Sequence, residues 1–102
     1  MITLTQQALN LIGLSLRAKQ QISGEALVLQ AIRQKKAKLV LLANDAGSNL
    51  QKEITNKCHY YQVALSNTLS TAQLTQAIGR PRTVIAITND GFAKKLITLL
   101  NA

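Results

Sequence analysis

The chain has 102 residues, which fits one domain spanning 1–102 with a modest core. Hydrophobic residues make up 47%, too many for a disordered chain, and the formal net charge is +8, from 12 Lys+Arg against 4 Asp+Glu. That balance leaves little for general acid–base catalysis and favours polyanionic partners, nucleic acid first and an anionic membrane surface second.

In chain order, Thr3 and Gln6 have capping-box spacing and open a helix running to about residue 18. Leu9, Ile12 and Leu16 share one stripe of it, with Ala8 and Leu11 beside them. Gly13 inside that helix costs about 1 kcal/mol relative to Ala, so it predicts a close crossing by another element. Residues 19–23 read as a brief edge strand or an extended link. Ser23 is placed to cap a second helix whose first turn holds Gly24 and Glu25. The buried side of this helix is expected from Ala26, Leu27, Leu29, Ala31 and Ile32. It ends in Arg33, Lys35 and Lys36, where cations complement the dipole.

Residues 39–43 form a continuous apolar run, as expected of a strand covered on both faces. After a turn at 44–47, Ser48 and Gln51 repeat the capping-box spacing and predict a third helix to about residue 60, with Leu50, Ile54 and Cys58 inward. A short strand at 62–65 follows. Ser70 and Gln73 then cap a fourth helix carrying Leu74, Ala77 and Ile78. Residues 79–82 are a tight basic loop, 84–88 a second buried strand, and Asn89, Asp90 and Gly91 lead into a terminal helix from Phe92 to about residue 100. Alternating strands and helices predict an α/β domain with helices on both faces of a sheet of about four strands.

No run reaches the roughly 18 apolar residues of a membrane span. The N-terminal sequence has neither a basic n-region nor a small-residue cleavage site, so it does not read as a signal peptide. The single cysteine, Cys58, fits a reducing, cytoplasmic setting. It neighbours the single histidine, His59, but adjacent residues on a helix do not face each other, so a Cys–His nucleophile is not expected. No metal-ligand spacing, dinucleotide fingerprint or Walker A sequence occurs. The expectation is a non-enzymatic protein without a cofactor.

The basic residues mark the candidate site instead. Arg17 and Lys19 precede the second helix, Arg33, Lys35, Lys36 and Lys38 follow it, and Arg80 and Arg82 flank Pro81. Proline fixes φ in that loop and presents the guanidinium groups at low entropic cost. Lys94 and Lys95 read as a solvated face of the last helix. Aromatic residues make up only 3%, against a reader that stacks successive unpaired bases. Phe92 reads as a core anchor, and Tyr60 and Tyr61 as closing the third helix against the next strand. A helix N-terminus beside concentrated cations suits phosphate, and hence structured RNA.

Ser23, Gly24 and Glu25, the 37–45 strand region, the 74–79 stretch, Val84 to Ile87, and Asn89 through Lys95 occur in an order and spacing that resembles the L-seven-Ae ribosomal protein family of kink-turn RNA binders. The likeness is to its bacterial YlxQ-like branch and runs from about residue 9 to 96. The resemblance implies a three-layer α-β-α sandwich with a mixed four-stranded sheet. It also implies RNA contacts at the start of the second helix and in the 79–83 loop, and no catalysis or cofactor. Kink-turn binders typically carry Gly-x-Asn-Glu-x-x-Lys at that helix start. Aligned on Gly24, this chain has Ala26, Leu27 and Gln30 at the Asn, Glu and Lys positions. Ala26 and Leu27 cannot hydrogen-bond base edges, whereas phosphate contacts do not need those groups.

The expected footprint is therefore the backbone around Gly24, Glu25 and Ala26, flanked by Lys19, Arg80, Pro81 and Arg82 and extended along the helix by Gln30 and Arg33. The expected partner is a folded RNA, ribosomal or otherwise translation-related, with ribosomal proteins as further candidates. The alternative is a protein-interaction module docking on a ribosomal or RNA-processing partner.

Overall fold

The computed structural model describes residues 2–100. Helix α1 (Leu4–Arg17) leads to strand β1 (Gln21–Ser23) and helix α2 (Glu25–Arg33). Strand β2 (Leu39–Leu42), helix α3 (Ser48–Tyr61), strand β3 (Ala64–Ser66) and helix α4 (Thr71–Ile78) follow. Strand β4 (Val84–Ile87) and helix α5 (Asp90–Leu100) complete the described chain. The sheet has four strands in the order β1-β4-β2-β3. β4 runs antiparallel to both neighbours, whereas β2 and β3 are parallel and are joined through α3. The fold is a three-layer α-β-α sandwich, in which α1 packs on α4 and α5, and α2 packs on α3 against β1 and β4.

The two central strands explain the layering. All four residues of β2 and all four of β4 are buried, so both faces of each must be covered by helices. Ile12, Val28, Ile32, Ile54, Leu74 and Leu96 bring one apolar residue or more from each helix to that sheet. Gly13 behaves as its position predicts. A Cβ there would meet the Ala77 carbonyl oxygen at 2.9 Å, so the small residue lets α1 and α4 cross closely.

Several local expectations are met. The Thr3 hydroxyl accepts from the Gln6 amide, and Ser70 with Gln73 forms a complete capping box. Of residues 19–23, only Gln21–Ser23 form the edge strand, and Lys19, left-handed at φ +58°, belongs to the turn that closes α1. Phe92 packs half-buried against the core, and the Asn89 side chain accepts from its amide at 3.0 Å.

Others are corrected. Ser23 does not cap α2. It is the last residue of β1, opposite Ile85, and Gly24 at φ +99° is the N-cap instead, a conformation only glycine adopts freely. Ser48 does not cap α3 either, since Gly47 holds that place. Gln51 turns its side chain onto the carbonyls of Asn44 and Ala46. Strand β3 starts at Ala64 because Gln62 is left-handed at φ +58° and closes α3. Tyr61 packs on the core, but Tyr60 stands 76% exposed.

Candidate functional site

One end of the sheet collects Gly24, Glu25, Ala26, Pro81 and Arg82 of the candidate residues. Gly24 N–H donates to the Val84 carbonyl at 3.2 Å, which joins the tip of α2 to the start of β4. Ala43 N–H donates to the Thr83 carbonyl at 2.8 Å, and Asn44 N–H to the Leu69 carbonyl at 2.9 Å, so the loops preceding α3, α4 and β4 meet at the same end. The starts of α2, α3 and α4 therefore lie there together.

Between the tip of α2 and the 79–83 loop opens a cleft of about 570 Å³, lined among others by Gly24, Glu25, Leu27, Thr71, Pro81 and Arg82. No side chain caps α2, and the first intrahelical bond is Val28 N–H to the Gly24 carbonyl at 2.9 Å. The amides of Glu25, Ala26 and Leu27 thus have no acceptor within the helix, and with the helix dipole they favour an anion.

The expected burial of Ala26 and Leu27 is wrong. Both are exposed, Leu27 by 58%, because the core stripe of α2 is Val28, Leu29, Ala31 and Ile32. They form the wall of the cleft rather than part of the core. Ala26, Gln30 and Arg33 also line a shared surface hollow with Leu29 and Gln34. That hollow continues from the tip toward the far end of α2, with Arg33 roughly 12 Å along the axis from Glu25.

The cations divide. Arg82 lines the cleft, its Nε donating to Ser23 Oγ at 3.3 Å and its Nη1 to the Pro81 carbonyl at 2.7 Å. Arg80 is exposed in the same loop. Lys19 does not join them. Thr88 N–H donates to the Gln20 carbonyl, which puts Lys19 beside the end of β4, whereas Gly24 sits beside its start. Three extended residues of β1 separate the two.

Thr71 is a cleft residue that the sequence pattern does not single out, and Ser23, expected as a helix cap, lines the cleft instead. Thr71 arrives through a contact remote in sequence, with its amide and hydroxyl both donating to Asp45 Oδ1 at 2.9 and 2.7 Å. Those bonds hold the Asp45 carboxyl below the usual carboxylate range, the Thr71 hydroxyl contributing most. The carboxylates near the cleft are thus Glu25, exposed at the tip, and Asp45, committed to the start of α4.

Cys58 is 2% exposed, and burial pushes its thiol up to about 11, where little nucleophilic thiolate exists near neutral pH. Among the described residues no group of three or more His, Cys, Asp and Glu side chains could hold a metal ion. Among the same residues no helix is long and apolar enough to cross a membrane.

The chain matches the Ribosomal protein L7Ae/L30e/S12e/Gadd45 family over residues 6–97. It is 47% identical over 95 residues to a protein named RNA-binding protein YlxQ from Enterococcus faecium, covering 93% of this chain and 92% of that one. It is 50% identical over 92 residues to a protein of the same name from Bacillus subtilis (strain 168), covering 89% and 92%. A solved structure of a protein of unknown function from Bacillus halodurans C superposes with a TM-score of 0.90 at 35% identity, covering 94% of this chain and 98% of the other. The Giardia lamblia 15.5kD RNA binding protein superposes with a TM-score of 0.78 at 21% identity, covering 96% and 85%, and shares the fold.

Proposed function

Because the chain belongs to the Ribosomal protein L7Ae/L30e/S12e/Gadd45 family, we propose that it is a non-enzymatic binder of folded RNA acting in the cytoplasm. The RNA class that fits is a ribosomal or other translation-related RNA with a sharp bend. The observation that carries this reading is the cleft itself, where the uncapped amides of α2 face Arg82 and Pro81 across a gap. The names of the relatives at 47% and 50% identity support RNA as the ligand.

Recognition rests on phosphate and shape. The amides of Glu25, Ala26 and Leu27 receive a phosphate or a bulged nucleotide, and Arg80 and Arg82 neutralise the backbone next to it. Gln30 and Arg33 extend the contact along α2. Ala26 and Leu27 offer no polar side-chain atom to a base edge, so the chain gives up the roughly 1–3 kcal/mol of discrimination that each such contact supplies in base readout.

Titration with a kink-turn RNA, a simple duplex and tRNA at physiological salt tests the reading. Micromolar or tighter binding to one folded RNA, with the others much weaker, is the expected result. Weak and equal binding to all three overturns it and leaves a protein-docking role.

A further inference from the structure

We infer that Ser23 is a positioning residue for Arg82, and that its hydroxyl holds the guanidinium over the α2 tip in the orientation that meets the RNA backbone. This rests on the RNA-binding reading of the cleft. Serine is a preferred helix cap, yet Ser23 sits one residue too early to cap α2, and its oxygen serves another group. That oxygen accepts from Arg82 Nε at 3.3 Å, across 59 residues of sequence.

The surrounding backbone explains why such a tie matters. The 79–83 loop is fixed at its ends, by Gly79 N–H on the Thr75 carbonyl and by the Thr83 carbonyl on Ala43 N–H. Between those points it carries Pro81 and Arg82 above the cleft. Ser23 is itself held in the sheet opposite Ile85, a rigid base for the hydroxyl. An arginine side chain otherwise samples many rotamers, and ordering it on binding costs affinity. Of the five N–H donors of a guanidinium, the bonds to Ser23 and the Pro81 carbonyl use two, which leaves the others for phosphate oxygens. Ser23 thus ties the edge strand to the loop through one hydroxyl, directly before the helix tip.

The test has an arm without RNA and an arm with it. In the free protein, the Arg82 Hε resonance should be protected from solvent exchange in wild type and in Ser23→Thr, and lose that protection in Ser23→Ala. Threonine keeps the hydroxyl and suits a strand. With a kink-turn RNA as probe, Ser23→Ala should weaken binding by about 3- to 10-fold, as expected of one lost hydrogen bond. Ser23→Thr should bind as wild type does. In an Arg82→Ala background, Ser23→Ala should change affinity no further. An unprotected Hε in wild type overturns the proposal whatever the RNA result. Equal losses from Ser23→Ala with and without Arg82 overturn it too, because Ser23 would then act independently. If Hε is protected as expected but Arg82→Ala leaves binding unchanged, the RNA reading of the loop fails and the positioning role falls with it.

Discussion

A Cβ added to Gly13 would lie 2.9 Å from the carbonyl oxygen of Ala77, closer than backbone oxygen tolerates. In an open helix, Gly→Ala would stabilise by about 1 kcal/mol. Here the obstacle is backbone of α4 rather than a flexible side-chain end, and overpacking of this kind costs about 1–3 kcal/mol. Gly13→Ala should therefore lower the midpoint of thermal unfolding despite its better helix propensity. A raised midpoint would show that α1 and α4 can separate at little cost.

Lys35 carries the opposite opportunity. It stands at φ +58° just past the end of α2, with its amide on the Ile32 carbonyl and the Lys36 amide on the Ala31 carbonyl. This is the Schellman arrangement, in which glycine is the usual residue. A left-handed backbone costs an L-residue roughly 1–2 kcal/mol, offset in part by the greater freedom of glycine in the unfolded chain. Lys35 is exposed and gives up little packing. Lys35→Gly should raise stability by up to about 1 kcal/mol in urea unfolding, with an unchanged slope against denaturant.

The Asp45–Thr71 contact makes stability depend on acid. The folded carboxyl titrates below its ordinary value of 3.8, chiefly because the Thr71 hydroxyl and amide donate to the charged form. A depressed folded value means that the stabilisation is present in full above the unfolded value and is lost as pH falls through the folded one. Asp45→Asn should lower the thermal midpoint at pH 7, and the gap from wild type should close below about pH 4. A gap that stayed constant to lower pH would show that the charge of Asp45 is not what Thr71 holds.

The order of elements and the layer architecture are legible in the sequence because the signals are local and strong. Residues 39–42 and 84–87 are unbroken apolar runs, and Ser70 with Gln73 has its cap spacing directly before a helix. The site is less legible. Leu27 lies beside Val28 and Leu29, and a run of adjacent apolar residues does not say which of them faces out. Only the packing of α2 against α3 and the sheet decides it. Ser48 and Gln51 copy a capping box, but Gly47 enters the helix first and frees Gln51 for the preceding turn. Lys19 is close to Gly24 in sequence, yet an extended β1 carries the two to opposite ends of β4. Thr71 reaches the cleft through a partner 26 residues away, a relationship that no local pattern encodes.

The most direct measurement is an amide chemical-shift map of the isotope-labelled protein titrated with the folded RNA that binds it. The account predicts the largest changes at Glu25, Ala26, Leu27, Arg80 and Arg82, smaller ones along Gln30 and Arg33, and little change at Lys19 or at Lys94 and Lys95. Changes centred on Lys19 or on α5, with the α2 tip silent, would contradict it.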